Sequence, residues 1–334
     1  MQNNSLNNKK LILFIVASLM LLGLALVLSL ILGSKDISLA ELFSKDSENA
    51  LAGPIFEKRI MRTVLGIMAG FALSIAGVLM QAITKNPIAD PSIIGINSGA
   101  ACTVVAAIAI LGINSSIEYI IFALIGAALT ACFVYCIAMV AGGGKVGPVG
   151  LALAGAATST ACSSVVSLIM LPNMNVMEQY RFWSVGSIKA SSWDNIMVVL
   201  PFILAGIFIA LILIPSLNVL TLGDETATGL GVNVPLIKAA GILASVLLCG
   251  ATTAIAGPIG FLGLMIPHFV RIIIGGDFKT LIPLSAINGA SLLLLSDVAG
   301  RVIGRPGELE VGVVTAFLGA PVFILLVVKG RAIK

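Results

Sequence analysis

Basic residues that could engage an acidic group lie in two clusters. One cluster reads Lys58-Arg59-Ile-Met-Arg62, and the other is Arg301 with Arg305, which follow a long apolar run. At the rim of an apolar segment such side chains either anchor a helix by placing their charge in water or meet an acidic partner and set its encounter rate and register. The residues themselves leave both interpretations open.

A second kind of chemistry is suggested by the polar stretch 217–234. Asp224 and Glu225 stand where the first turn of a short helix would begin, and Gly231 follows where it would end. Acidic side chains favour the amino end of a helix, and glycine favours its carboxyl end. The pattern predicts a short surface helix that a soluble partner can grip, and an ordinary connecting loop is the alternative.

Enzymatic and metal chemistry find no support in the sequence. His268 is the one histidine, and the carboxylates show no metal-ligand spacing. A Ser/His/Asp triad would depend on His268, which follows a proline in a short apolar run and is interpreted as structural. Gly142-Gly-Gly-Lys145-Val146 lacks the first glycine and the hydroxyl of a P-loop. We expect no catalytic residue, no metal, no cofactor and no nucleotide hydrolysis by this chain.

Composition sets the frame for these clusters. Of 334 residues, 59% are hydrophobic and 10% are charged, against about 25% charged in an average soluble domain. The mean hydropathy is +1.13. Lipid must cover this much apolar surface, so we predict an all-α, polytopic membrane protein. The net charge of +4 is spread along the chain, which argues against a nucleic-acid partner.

Apolar runs predict about ten transmembrane helices in a single transmembrane domain that covers 1–334. The runs are 11–33, 63–83, 92–112, 119–140, 147–172, 195–219, 238–256, 258–274, 281–300 and 311–329. An even number places both termini on one side, and the basic residues of the head 1–10 and of the tail favour the cytoplasm. The longest hydrophilic stretch, 34–62, is then extracytoplasmic and is expected to contain a short surface helix.

Small residues punctuate the apolar runs. The pairs Gly66 with Gly70 and Gly95 with Gly99 have the small-xxx-small spacing that lets membrane helices approach closely. Ala76-Gly77-Val-Leu-Met is weakly echoed by Ala256-Gly257-Pro-Ile-Gly, and both are expected where one helix gives way to the next. Internal repeats are common in transporters.

Ionisable side chains are nearly absent from the middle of the predicted spans. Glu118, Asp194, Arg271 and Asp297 all fall near predicted ends. A carrier driven by protons or sodium usually holds its coupling ion on such a group at membrane depth. The energy for any transport is therefore expected to come from outside the chain.

Several long motifs resemble the permeases that import iron-siderophores, haem and vitamin B12, the FecCD type of ABC transporter. The resemblance covers nearly everything after residue 55. The motifs are Gly77-Val-Leu-Met-Gln81-Ala-Ile-Thr-Lys-Asn86-Pro87-Ile-Ala-Asp90-Pro91, Gly95-Ile-Asn-Ser-Gly99-Ala, Leu153-Ala-Gly155, Trp183-Ser-Val-Gly186-Ser187, Gly223-Asp-Glu225-Thr-Ala227 with Gly231, Gly257-Pro-Ile-Gly260-Phe-Leu-Gly-Leu-Met-Ile-Pro267-His268-Phe-Val-Arg271, Gly312-Val-Val-Thr-Ala and Gly319-Ala-Pro321-Val-Phe.

The resemblance implies the fold of the vitamin B12 importer permease and a set of partners. These are a second permease subunit, identical or different, two ABC ATPases on the cytoplasmic side, an extracytoplasmic substrate-binding protein and a ferric-siderophore or related chelate. The protein would then be a multi-pass subunit of the cell membrane, with the ATPase supplying the energy. Haem and vitamin B12 are alternative cargoes, and an ion-coupled secondary carrier is the alternative from another class.

The resemblance also assigns roles to residues. Arg59 and Arg62, with Arg301, match the family's docking arginines for the binding protein, although Met61 replaces the usual proline. The ATPase-coupling motif would be formed by Gly223, Asp224, Glu225, Ala227 and Gly231, with Thr226 where alanine is common. The cytoplasmic gate would be lined by Asn86, Ile88, Pro148 and Val149.

Overall fold

A computed structural model describes residues 2–33, 52–143, 146–189 and 192–330, and within these ranges the regular structure is entirely helical. The helices are α1 (Gln2–Ile31), α2 (Ala52–Thr84), a 3-10 helix (Pro91–Ile94), α3 (Ile96–Leu111), α4 (Ser116–Ala141), α5 (Pro148–Met170), α6 (Met174–Ser184), α7 (Trp193–Leu220), α8 (Asp224–Gly229), α9 (Val234–Ala256), α10 (Leu262–Ile274), α11 (Phe278–Ile303) and α12 (Val311–Gly330).

The predicted all-α membrane fold is confirmed. Among the described residues, seven helices are long and apolar enough to cross a membrane, and three shorter apolar helices, α3, α10 and α12, match the remaining predicted spans. Helices α6 and α8, with 11 and 6 residues, belong to neither group. The predicted surface helix in 34–62 lies partly outside the described residues, and 52–62 form the first turns of α2.

Helix α2 is the central element. It packs against α11, α9, α10 and α7, and its glycines permit the closest contacts. A Cβ on Gly66 would press on Leu294 of α11, and a Cβ on Gly70 would overlap the backbone of Ala290. Close backbone approach is how membrane helices gain packing without a hydrophobic driving force. The structure confirms the interpretation of this glycine pair as a packing device.

The contacts of neighbouring residues show which part of α2 lies beside the carboxyl end of α9. Helix α9 ends at Ala256 because Gly257 adopts φ +70 and a proline follows it. The carbonyl of Ala256 accepts a hydrogen bond from the amide of Ser187 at 2.6 Å. The next residue, Ile188, packs against Gly66. The end of α9 is therefore level with Gly66 of α2.

Helix α10 begins at a different depth. Gly263 lies so close to Gly77 of α2 that a Cβ on Gly77 would overlap it. Gly77 is about 16 Å along the helix from Gly66, a distance that the short link between α9 and α10 can cover only as extended chain. The predicted span 258–274 is therefore discontinuous, with a non-helical stretch at 258–261 followed by the 13 residues of α10.

The echo between Ala76–Met80 and 256–260 does not mark equivalent positions, so that expectation was wrong. Residues 76–80 lie inside α2, which runs on to Thr84, whereas 256–260 contain the break after α9. The physical difference is the proline of the second segment, which cannot continue a helix, while Val-Leu-Met in the first can.

The described residues present two faces at opposite ends of α2. We call the end with Arg59, Arg62 and Arg301 the arginine face. We call the other end, with the hinge Asn86–Pro91 and α8, the hinge face. Arg62 and the end of α2 are separated by roughly 33 Å of helix, so the predicted docking and coupling residues lie on opposite faces of the protein.

Candidate functional site

On the arginine face, three arginines from other segments cap the carboxyl end of α1. The last carbonyls of a helix have no partner within it and carry its partial negative charge. The bonds run from Arg59 Nη1 to the carbonyls of Leu30 (2.9 Å) and Ile31 (2.7 Å), from Arg301 Nη1 to those of Ser29 (3.1 Å) and Leu32 (2.9 Å), and from Arg305 Nη2 to that of Gly33 (2.7 Å).

Arg62 engages two carboxylates instead. Its Nε and Nη2 donate to Asp297 at 2.9 and 2.6 Å, and its Nη1 donates to Glu308 at 2.8 Å. Asp297 is fully buried and also lies 3.0 Å from Nη2 of Arg301. Charge-assisted, two-pronged pairs of this kind are the strong ones. The network therefore fixes α2 against α11 and the loop that follows it.

The predicted docking arginines are thus placed together, but with intramolecular partners. Arg59 is 5% exposed and Arg301 is 2% exposed, whereas Lys58 and Arg305 are exposed on the same face. Sequence reasoning missed Asp297 as their partner. The available signal was the four-residue spacing of Asp297 and Arg301, which is the spacing of helical ion pairs. Docking by these arginines remains a prediction.

The hinge consists of two side-chain-stabilised turns. The side chain of Asn86 accepts a hydrogen bond from the amide of Ile88 at 3.1 Å, and that of Asp90 accepts one from the amide of Ser92 at 2.9 Å. Asn and Asp mimic a backbone turn in this way. Lys85, which leads into the hinge, adopts φ +49, a conformation uncommon for a residue with a Cβ. The hinge therefore has a defined shape.

The four predicted gate residues are brought to one face and left uncovered by this chain. Asn86 and Ile88 are exposed on the hinge, and Pro148 and Val149 are exposed at the start of α5. Helix α5 closely approaches the 3-10 helix that follows the hinge, because a Cβ on Gly155 would overlap the carbonyl of Ile93. Their role as a gate remains a prediction.

The stretch around Asp224 forms the short helix α8 (Asp224–Gly229), with both acids in its first turn. Gly223 precedes α8 and Gly231 follows it, and both have positive φ values (+109 and +84). Glycine adopts such values readily because it has no Cβ, so the chain can turn on either side of the short helix. Ala227 is fully buried, whereas Glu225 is exposed. The predicted short helix is confirmed, and its role in coupling remains a prediction.

Asp224 joins α8 to two other elements. Its Oδ1 lies 2.7 Å from Nζ of Lys85, and its Oδ2 lies 2.7 Å from Nζ of Lys238 on α9. Burial by itself would raise the pKa of Asp224, but the hydrogen bonds from Lys238 and Lys85 outweigh it and lower that pKa. Sequence reasoning missed both lysines as partners of the acidic helix, since nothing in their spacing signals the contact.

Helix α5 carries a row of hydroxyl groups on an uncovered side. Thr160, Ser163, Ser164 and Ser167 are exposed. The hydroxyls of Thr160, Ser164 and Ser167 each donate at 2.9 Å to the carbonyl one turn earlier, which partly satisfies them. Polar groups in membrane helices normally face the protein interior or a water-filled cavity. This row is a polar surface that the hydropathy of α5 concealed.

No three His, Cys, Asp or Glu side chains in the described part of the chain converge as metal ligands would. The arginine face and the hinge face instead present charged and well-defined surfaces, and the membrane-spanning helices connect the two.

Comparison with known proteins gives consistent matches. The model of the FecCD transport family matches residues 20–329. The chain is 42% identical to the ferric enterobactin transport system permease protein FepD of Escherichia coli over 92% of this chain and 93% of that protein. It is 42% identical to the Fe(3+)-citrate import system permease protein YfmD of Bacillus subtilis over 98% of both.

A solved structure agrees in fold. A metal-chelate type ABC transporter in an inward-facing conformation superposes with a TM-score of 0.81 and 28% identity, over 97% of this chain and 99% of that one. The order of apolar helices, the motifs at the hinge and α8, and these matches lead to one conclusion. The chain belongs to the FecCD transport family.

Proposed function

We propose that the protein is the membrane-spanning permease subunit of an ATP-driven importer for a ferric siderophore or a related ferric chelate. The observation that carries the proposal is the match over nearly the whole chain to permeases whose names state ferric enterobactin and ferric citrate transport. The sparse charge within the apolar helices supports an external energy source, because ion-coupled carriers use ionisable groups at membrane depth.

ATP hydrolysis would be carried out by a partner ATPase that contacts the hinge face. Gly223, Asp224, Glu225, Ala227 and Gly231 would form the coupling element. Its shape supports this role, since buried Ala227 fixes α8 to the body while exposed Glu225 faces outward. Exposed Leu222 and Leu230 on either side of α8 offer apolar contacts, which the buried centre of a protein interface requires.

A second permease subunit would cover the hydroxyl row of α5 and complete the path for the cargo. Hydroxyl groups that already bond to their own helix offer weak contacts to a large polar chelate, which suits passage without tight binding. Asn86, Ile88, Pro148 and Val149 lie at the hinge end of this side and would close the path as its cytoplasmic gate.

The arginine face would receive the substrate-binding protein on the opposite side of the membrane. Lys58 and Arg305 offer exposed positive charge there, and rim charges set encounter rate and register. Carboxylates that bind Arg59, Arg62 or Arg301 would compete with the carbonyls of α1 and with Asp297. In this arrangement the protein lies in the cytoplasmic membrane with both termini in the cytoplasm.

Uptake of radioactive iron tests the function. A bacterial strain that lacks its own ferric-chelate permeases would receive this chain together with the ATPase and the binding protein of the same importer. We expect uptake of ferric enterobactin or ferric citrate that persists when a protonophore collapses the proton gradient but ATP is maintained. The strain without this chain is the control. Uptake that stops with the gradient, or no uptake of either chelate or of haem, would refute the proposal.

A further inference from the structure

We propose that Asp224 is a positioning residue that transmits movement of α8 to the hinge Asn86–Pro91 through its ion pair with Lys85. The inference rests on the proposed function, in which a partner ATPase moves α8. It goes beyond that function by naming the contact that carries the movement to the gate side of the protein.

The carboxylate of Asp224 contacts two elements at once, the end of α2 and helix α9. Each oxygen of Asp224 lies 2.7 Å from one lysine, Lys85 after α2 and Lys238 on α9. Lys85 is the residue between the last turn of α2 and Asn86, the first residue of the hinge. A shift of Asp224 therefore acts directly on the residue that sets the direction of the hinge.

The two ion pairs differ in burial, and this gives them different roles. The side chain of Lys238 is 10% exposed, whereas that of Lys85 is 43% exposed. A buried ammonium that loses its partner is strongly destabilised, so the pair with Lys238 keeps α8 attached to α9. An exposed pair contributes little to stability, so the pair with Lys85 can shift without unfolding the protein.

The conformation of Lys85 supports the same view. The φ of Lys85 is +49, which lies in a region that residues with a Cβ rarely occupy. Strained backbone at a switch region persists only where the surroundings hold it, and Asp224 is the ion-pair partner that the structure gives Lys85. Loss of the pair would let this residue relax and would disconnect the hinge from α8.

The first test compares ATP hydrolysis with transport in proteoliposomes that hold the complete importer. We expect Lys85→Gln, which leaves the pair of Asp224 with Lys238 intact, to retain the ATPase on purification and to keep hydrolysing ATP. The iron chelate transported per ATP should fall at least about fivefold, the low end of coupling between two sites. Lys85→Arg, which keeps the positive charge, should restore most of the coupling. Asp224→Asn should lose at least as much coupling as Lys85→Gln, because it removes the same contact together with the pair to Lys238.

Asp277→Asn is the matched control. Asp277 is another exposed carboxylate of the same region, where it accepts a hydrogen bond from Asn218 at 2.8 Å and makes no ion pair with the hinge. Its variant should transport normally. Normal transport per ATP in Lys85→Gln, or loss of ATPase binding in that variant, would overturn the inference.

A second measurement needs no cargo. Ile88→Cys, in a chain whose five cysteines are replaced by alanine, reports the hinge through its rate of labelling by a maleimide. Trapping the ATPase with vanadate should change this rate in the otherwise native chain and leave it unchanged with Lys85→Gln. A response that Lys85→Gln retains overturns the inference alone. A native chain without any response overturns the proposed function and the inference together.

Discussion

Asp297 shows how a single carboxylate can hold the arginine face together. It is fully buried and contacts the guanidinium groups of Arg62 and Arg301. Charges buried in this way give little net stability as a pair, but removing one partner leaves the other uncompensated. The residue therefore makes the arginine face intolerant of single charge changes, including reversal of Arg62, which would disturb folding as well as any docking.

Replacement of Asp297 by alanine should destabilise the protein by about 3–5 kcal/mol, the cost of breaking a buried ion pair. The measurement is the midpoint of thermal unfolding of the purified protein in detergent. Asp194→Ala is the control, because Asp194 is an exposed residue in the first turn of α7 and affects only the helix dipole there. Equal shifts in the two variants would contradict this prediction.

Arg301→Lys should loosen the end of α1 while keeping the charge. Lysine lacks the planar fork with which Arg301 reaches Ser29, Leu32 and Asp297 together. We expect faster amide hydrogen exchange in 24–33, measured by mass spectrometry, and no change in α7. The exposed Lys58→Ala serves as the comparison, and equally fast exchange there would argue against capping by Arg301.

At the scale of elements, the extended link between α9 and α10 is the feature that most departs from regular membrane helices. Backbone without helical hydrogen bonds is tolerated at membrane depth only where protein surrounds it. Here the surroundings are so close that a Cβ on Gly257 would overlap the carbonyl of Trp183. The link is therefore a packed part of the body and not a loose connection.

Gly257→Ala should consequently destabilise the protein by more than about 1 kcal/mol, because the position combines positive φ with close contact. Gly260→Ala is a matched control in the same link, since a Cβ there meets no atom within 4 Å. Thermal unfolding in detergent measures both. A Gly260 variant as unstable as the Gly257 variant would mean that general stiffness of the link matters, and not the contact with Trp183.

The sequence predicted elements better than it predicted partners. The apolar runs located the spans, and the acids and glycines around Asp224 located α8, because these signals are local. The break inside 258–274 was visible as a proline, but its depth depends on Gly77 and Gly263, which lie on different helices. The contacts of Arg62 with Asp297 join residues 235 positions apart, and no local pattern encodes such a pairing.

For the whole molecule, the exposed hydroxyl row of α5 marks the side that the proposed second permease subunit would cover. Exposed apolar residues cover the other outer helices, as lipid contact requires, whereas α5 presents Thr160, Ser163 and Ser164. A helix of this kind fits a position between two permease subunits along the path of the cargo. Substitutions in the hydroxyl row therefore test subunit assembly and transport rather than the stability of a single chain.

The double variant Ser163→Leu, Ser164→Leu should leave membrane insertion and the fold of the single chain intact. We expect either fewer paired permease subunits, measured by native mass spectrometry, or iron uptake reduced about tenfold, which corresponds to 1.4 kcal/mol. Ile212→Leu on the exposed apolar side of α7 is the control. Normal pairing together with normal uptake would assign this side of α5 to lipid.

The capped end of α1 has a consequence for biosynthesis. Arg59 follows the carbonyls that it binds by fewer than 30 residues, but Arg301 follows Ser29 by 272. At usual rates of translation the second group of donors leaves the ribosome on the order of tens of seconds later. During that interval the end of α1 is held by α2 through Arg59 and the hydrogen bond between Ser29 and Thr63, without the donors of α11, so nascent chains that stop before α11 should expose α1 to the quality-control proteases of the membrane.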